Sequence, residues 1–178
     1  MRTFAGMTDR LTPQQRHDNM AAVRPRDTNP ELIVRRYLHA CGFRYRLCDP
    51  RLPGHPDIVL KKYRTAIFVN GCFWHGHDGC RYFRLPKTNT SFWEAKIMRN
   101  KARDTASLRA LAALGWHTIT IWECTLKGHQ REETLAALVH TLYRIYLQDR
   151  AISHVPVPYA DADDVPAFAA EPLGEVTP

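Results

Sequence analysis

Apolar positions along the chain fall into short runs whose periods separate helices from strands. After Asn29-Pro30, residues Val34, Tyr37, Leu38 and Cys41 recur at helical spacing and Gly42 supplies a stop, which predicts a helix. Ahead of it, Thr12-Pro13 reads as an N-cap followed by proline in the first turn and predicts a short polar helix to about Val23. Phe43, Tyr45 and Leu47 alternate with Arg44 and Arg46, the period of a half-buried strand with one basic face. The turn Leu52-Pro53-Gly54-His55-Pro56 then puts Asp57 at the mouth of an apolar strand, Ile58-Val59-Leu60. A polar, hairpin-like connection over 61–64 leads to a second apolar strand from Thr65 to Val69. Asn70-Gly71 ends it, and a loop rich in glycine, histidine and aromatics runs to about Thr88. From Ser91 to Leu114 the pattern predicts a long helix stopped by Gly115, with Phe92, Ile97, Leu108, Leu111 and Leu114 toward its buried side. Trp116 to Trp122 alternates as a strand, and Glu132 to Leu147 carries the stripe of an amphipathic helix. The order helix, three strands, helix, strand, helix predicts a small α/β core with a mixed sheet.

Length and charge sharpen this outline. At 178 residues the chain suits one domain with a sizeable core. Its formal charge of +7 averages two unlike parts. Residues 1–150 hold 25 basic and 13 acidic residues, a net +12, whereas 151–178 hold five acids, five prolines and no Lys or Arg. The body therefore favours a polyanionic partner, nucleic acid first, and the last segment reads as a flexible acidic tail. The longest apolar runs, Ala66 to Val69 and Ala110 to Leu114, are too short to span a bilayer. The N-terminus lacks a signal peptide's apolar core, so a cytosolic protein is expected, and five cysteines point to metal binding or free thiols rather than disulfides.

Three constellations carry chemistry. Cys72, His75, His77 and Cys80 lie within nine residues, a donor set matched to tetrahedral zinc. Three ligands are available locally and Cys124, just beyond a strand, is the best remote fourth. If Cys72, His77, Cys80 and Cys124 bind the metal, His75 is left free for general-base work, the bland alternative being a solvated loop histidine. Cys41 and Cys48 read as core or surface thiols. Asp57, at a strand end, can hold magnesium against a phosphate. The Glu-x-Lys that often follows on the next strand is replaced by Val69-Asn70-Gly71. Finally, Phe73, Trp74, Tyr82, Phe83, Phe92 and Trp93 interleave with seven basic residues between Arg81 and Arg103, against the single acid Glu94. Bases can meet phosphates and aromatics can wedge between base pairs.

Taken together, NMAAVRPRDTNPE, LPGHPDIV, IFVNGCFWHGHDGC, FWEAKI, NKARD and LGWHTITIWEC resemble the very short patch repair (Vsr) DNA mismatch endonucleases, over about Asn19 to Leu138. That resemblance implies a restriction-endonuclease-like fold of the PD-(D/E)xK type, a mixed sheet flanked by helices, with a zinc-bearing loop. It implies an N-terminal DNA-contacting segment over 1–25 and an endonuclease domain over 26–150, leaving 151–178 as tail. The implied activity is a magnesium-dependent nick 5′ of the thymine in a T:G mismatch left by deaminated 5-methylcytosine. Double-stranded DNA is the implied partner of a monomeric, nucleoid-associated enzyme, alongside the mismatch-repair machinery.

By the same resemblance Asp57 and the Val69 carbonyl hold magnesium, His75 activates water, Glu31 stands near that water and Asp104 orients the histidine. Cys72, His77, Cys80 and Cys124 are the zinc ligands, and Phe73, Trp74 and Trp93 wedge into DNA. Two departures stand out. The best-known member has Thr-His at Val69-Asn70; a backbone ligand survives that change, but Asn70 offers hydrogen bonds and no acid or base. Gly79 is an extra residue before Cys80. A zinc-stabilised mismatch-binding module without cleavage is the alternative function, and a restriction-type nuclease cutting both strands is a third.

Overall fold

The computed structural model describes residues 26–153 together with Thr12, Gln14, Gln15, Asp18 and Ala22. The helix expected after Thr12 falls mostly outside the described residues. Within them, Gln14, Gln15 and Asp18 are helical, and the Gln15 N–H donates to the Thr12 hydroxyl at 3.2 Å, the cap the sequence implies.

Three helices and four strands follow: α1 (Asn29–Ala40), β1 (Arg46–Leu47), β2 (Ile58–Leu60), β3 (Thr65–Asn70), α2 (Thr90–Ala113), β4 (His117–Trp122) and α3 (Gln130–Ser153). The sheet order is β1-β2-β3-β4, antiparallel across the first two pairings and parallel between β3 and β4. A parallel pair needs a crossover, and α2 supplies it. The mixed α/β architecture is the one the apolar pattern predicts.

Pleating divides the sheet. Ile58, Leu60 and Ile67 join Val34 and Leu38 of α1 and Leu135, Leu138 and Leu142 of α3 in one buried cluster. On α3 the spacing of these leucines gives a single face, so period 3.6 meets period 2 across one interface. Side chains at alternate positions, Val59 and Phe68 among them, turn to the opposite face.

Local chemistry ends the elements where the sequence says. Gly42, at φ +82°, follows α1; its N–H donates to the His39 carbonyl and the Phe43 N–H to Leu38, each at 3.0 Å. This is a Schellman closure, and buried Phe43 and Leu38 make its apolar contact. The same closure shortens the first strand. An alternating strand over Phe43 to Leu47 is expected, but the Phe43 N–H is spent on the helix and Cys48 turns to φ +46°, so only Arg46 and Leu47 pair with β2.

Other boundaries shift too. Phe92 and Leu114, expected on the buried side of α2, are each 53% exposed, whereas Ile97 and Leu111 are buried. Phe92 and Leu114 lie at the two ends of the helix, outside the span between these buried positions. The last helix runs on to Ser153, three residues into the segment expected to be tail. Arg64 takes a left-handed φ of +42° after the tight 3₁₀ turn Lys61–Tyr63. Its guanidinium donates to the carbonyls of Leu114 and Gly115, tying the β2–β3 turn to the end of α2.

Leu38 is fully buried at the junction of α1 and the sheet. Leu38→Ala is expected to lower unfolding free energy by about 3 kcal/mol, read by denaturant titration.

Candidate functional site

The antiparallel register builds the site's floor. Ile58 stands opposite Ile67, so Asp57, one residue before β2, arrives beside the far end of β3. There the Val69 N–H donates to Asp57 Oδ2 at 2.7 Å. Burial pushes the Asp57 carboxyl above its usual range and the negative charge of Glu31 adds to this, while the Val69 N–H, Arg35 and His75 pull the other way.

Glu31 comes from the first turn of α1. Its carboxylate accepts the Thr28 hydroxyl at 2.8 Å and the backbone N–H groups of Thr28 (3.4 Å) and Asp27 (3.2 Å). A short polar side chain before an acid three residues on is a helix-start signature, and here it also aims a carboxylate. Arg35, one turn along, donates to both Glu31 and Asp27 and is itself buried. Its Nε has no partner among the described residues.

His75 lies in the tight loop after β3. The His75 N–H donates to the Gly71 carbonyl, the Gly76 N–H to Phe73 and the His77 N–H to Cys72. Gly76 sits at φ +57°, and a Cβ there would stand 2.6 Å from Ile97 Cγ2 on α2. Conformation and close approach both call for glycine. Lys101 of α2 clasps Asp78 with two 2.8 Å contacts, and Asn100 Nδ2 donates to the Trp74 carbonyl at 2.8 Å. So anchored, His75 Nδ1 meets Asp104 Oδ2 at 2.5 Å. Donation from Nδ1–H to that carboxylate leaves Nε2 with a free lone pair, the arrangement a general base needs.

Asp57, Val69, Asn70, His75, Asp104 and Glu31 all line one cleft of about 840 Å³ between α1, the ends of β2 and β3, and α2. Lys96 and Arg103 of α2 line it as well, so acids and cations meet in one cleft. Trp74 is part of the wall and links it to a ring cluster. Phe73 is 5.2 Å from both Trp74 and Trp93, Trp74 is 6.1 Å from Trp93, and Phe92 is 5.4 Å from Trp93. The Lys96 ammonium stands over Trp74, Trp93 and Phe92 at 5.2, 5.3 and 5.8 Å.

Beneath the loop, Cys72, His77, Cys80 and Cys124 gather their ligand atoms within 4.8 Å of one another. His77 Nδ1 lies 3.6 Å from Cys72 Sγ and 3.4 Å from Cys124 Sγ. Gly79 takes φ +67° with open space around its Cα, so the extra residue is absorbed as a turn and Cys80 still reaches the cluster. Burial pushes the Cys72 thiol up to about 12, a cost that a cation bound to the thiolate removes. Three sulfurs and one imidazole form a closed, soft donor set that fits a structural metal. Cys41 is exposed and Cys48 half-buried, and neither joins the cluster.

Several contributors were not legible as such. Asn100 could be inferred only from its place four residues before Asp104 on one helix face. Trp122 stacks on His77 with centroids 4.0 Å apart and rings parallel, two residues before Cys124 in a strand that otherwise reads as core. Arg35 gave no signal, since nothing in a helical pattern marks one arginine as buried.

A family model described as DNA mismatch endonuclease Vsr matches residues 8–81, which include Glu31, Asp57 and the loop through Cys80. The chain is 50% identical over 120 residues to the type II nicking enzyme V.XorIIP of Xanthomonas oryzae, covering 67% of this chain and 88% of that protein. It is 46% identical to the type II nicking enzyme V.NmeAIP of Neisseria meningitidis, over 68% of this chain and 86% of the relative. To the DNA mismatch endonuclease Vsr of Escherichia coli it is 41% identical, over 72% and 80%. With this much identity over most of each relative, the chain belongs to the Vsr family of DNA mismatch endonucleases.

Proposed function

We propose that this protein is a magnesium-dependent endonuclease that nicks one strand of duplex DNA 5′ of the thymine in a T:G mismatch arising from deaminated 5-methylcytosine. One observation carries the reading: a half-buried carboxylate, Asp57, and an oriented imidazole, His75 on Asp104, open into one cleft whose wall continues as an aromatic cluster. The hairpin and crossover order of the sheet, with an acid entering its second strand, fits the restriction-endonuclease-like class.

In this reading Phe73, Trp74 and Trp93 enter the base stack beside the mismatch, and Lys96 and Arg103 hold the backbone. His75 Nε2 takes a proton from water as its oxygen attacks phosphorus and one P–O ester bond breaks, the departing strand-end oxygen taking a proton from solvent, while Asp104 stabilises the imidazolium that forms. Glu31, aimed by Thr28 and Arg35, accepts hydrogen bonds from water in the cleft. Asn70 orients the phosphate by hydrogen bonding. Magnesium, held by the Asp57 carboxylate and the Val69 carbonyl, supplies neutralising charge at the scissile phosphate when bound. The like charge of Glu31 and the burial that raise Asp57 are what a divalent cation offsets, so the donor set fits it. Zinc at Cys72, His77, Cys80 and Cys124 fastens the loop bearing His75 to the end of β4. The reading extends to an N-terminal DNA-contacting segment over 1–25 and a monomer at work on the nucleoid. Among the described residues no helix is long and apolar enough to cross a membrane.

A binding module without cleavage would explain the aromatic cluster but has no use for an imidazole paired to a carboxylate at 2.5 Å. The deciding experiment offers T:G and matched duplexes with and without magnesium. Nicking of only the T:G strand is expected. Selective binding with no nick would give the assignment to the binding module, and cleavage of both strands of matched DNA to a restriction-type enzyme.

Asp57→Asn separates stability from activity. A carboxyl whose folded pKa is raised costs stability as pH climbs from its unfolded value through the folded one. The variant should therefore melt higher than the metal-free wild type at pH 7, match it at pH below about 3, and lose magnesium-dependent nicking while retaining T:G binding. For the wild type, the magnesium concentration giving half-maximal rate should rise as pH falls toward that raised value, because protons compete for the same oxygens.

Replacing Cys124 with alanine removes one of four ligands. The wild type should carry about one zinc per chain by elemental analysis and the variant far less. The variant's thermal midpoint should drop by more than about 5 °C. A full zinc complement in Cys124→Ala would sink the ligand assignment.

A further inference from the structure

A second, smaller cavity of about 200 Å³ lies at the β1 edge of the sheet, lined by Arg44, Tyr45, Arg46, Val59, Lys61 and Lys62. Four of its six lining residues are cations and none is an acid. Among the described residues none of the four enters an ion pair. Lys62 rests over the rings of Tyr63 and Tyr146 at 5.8 and 5.0 Å, contacts that leave its charge in place. The nearest acid, Asp49, feels Lys61 but has both oxygens taken by Arg51, at 2.8 and 2.6 Å.

Its orientation follows from the pleat. The Tyr45 hydroxyl donates to the Arg35 carbonyl at 3.0 Å, so Tyr45 points toward α1. Arg46, the next residue and the first of β1, pairs in register with Val59 and lies on the same side of the sheet as it. Val59 faces away from the core-facing Ile58 and Leu60, as Phe68 does, and Phe68 lines the cleavage cleft. Arg46 and Val59 therefore lie on the sheet face that carries the cleft, while Tyr45 and Lys62 reach around the β1 edge toward α1 and α3. Lys61 follows β2 and Asp57 precedes it, a separation of about 13 Å for four residues of extended chain. That is close to the axial rise of roughly four base-pair steps.

We propose that the pocket formed by Arg44, Arg46, Lys61 and Lys62 is a second DNA-backbone site, which binds phosphates a few nucleotides from the cleaved one and sets the duplex in register with Asp57. The inference rests on the DNA reading above. It assigns the pocket to backbone positioning with no base readout, so its contribution is the same for matched and mismatched DNA.

The test uses the full chain without magnesium and measures affinity for T:G and matched duplexes by fluorescence anisotropy, from about 50 to about 200 mM salt. Arg44→Gln/Lys61→Gln, both exposed and outside the strands, should weaken both duplexes by the same factor. The T:G preference should be unchanged, and the log K against log salt slope should be shallower by about 2, at about 0.9 per phosphate contact. Arg46→Gln/Lys62→Gln should behave alike. Arg109→Gln/Arg144→Gln, which removes the same charge outside both cavities, should leave the slope near that of the wild type. An unchanged slope in folded pocket variants, or an equal loss in the control, overturns the proposal. Self-association of the variants with an unchanged slope also overturns it, assigning the charges to protection of an open strand edge. A wild type that binds neither duplex overturns the DNA reading itself, and a wild type that binds with unaffected pocket variants overturns only this inference.

Discussion

The register between β2 and β3 is the constraint on which the rest depends. Pairing Ile58 with Ile67 turns Ile58, Leu60 and Ile67 toward α1 and α3 and leaves Phe68 for the opposite face. A slip of one residue would exchange those faces, exposing the core's isoleucines and burying the polar rim. The same register delivers Asp57 to the Val69 N–H. Packing and chemistry are thus set by one choice, and the hydrophobic effect, much the larger energy, enforces it.

A second tier of order is needed because the loop after β3 is irregular backbone, without a strand or helix ladder to hold it. Its shape is held from three sides: by Gly76 against Ile97, by Lys101 and Asn100 reaching from α2, and by the Cys/His cluster that joins it to Cys124. These ties converge on the segment carrying Phe73, Trp74 and His75. Local hydrogen bonds alone would leave such a glycine-rich stretch free to open.

The cleft works against stability. Glu31 and Asp57 bring like charges together at a half-buried site, and only part of that repulsion is offset by Arg35 and the Val69 N–H. Apolar side chains there would fold better. That repulsion has a use if a cation is to be drawn in, since a divalent ion between the two carboxylates would offset it. Nearby, Lys96 rests over the rings of Trp74 and Trp93.

Much of this was written in the chain. Period and punctuation determined the element order: Asn29-Pro30 at the start of α1, Gly42 and Gly115 at the helix ends, an apolar run in β3 and alternation in β4. Residue type and spacing marked the loop and Cys124 as a candidate metal site, while the fold decided which loop histidine joins the three cysteines, gathering His77 with them. Strand length at β1, the exposure of Phe92 and Leu114, and the burial of Arg35 were decided by tertiary structure. Each depends on which neighbour claims a backbone group or covers a face, and a one-dimensional pattern holds no record of that. The basic alternation of Arg44 and Arg46 was visible at once as one face of a strand. Only the register of β1 on β2 put Arg46 opposite Val59, on the same side of the sheet as the cleft.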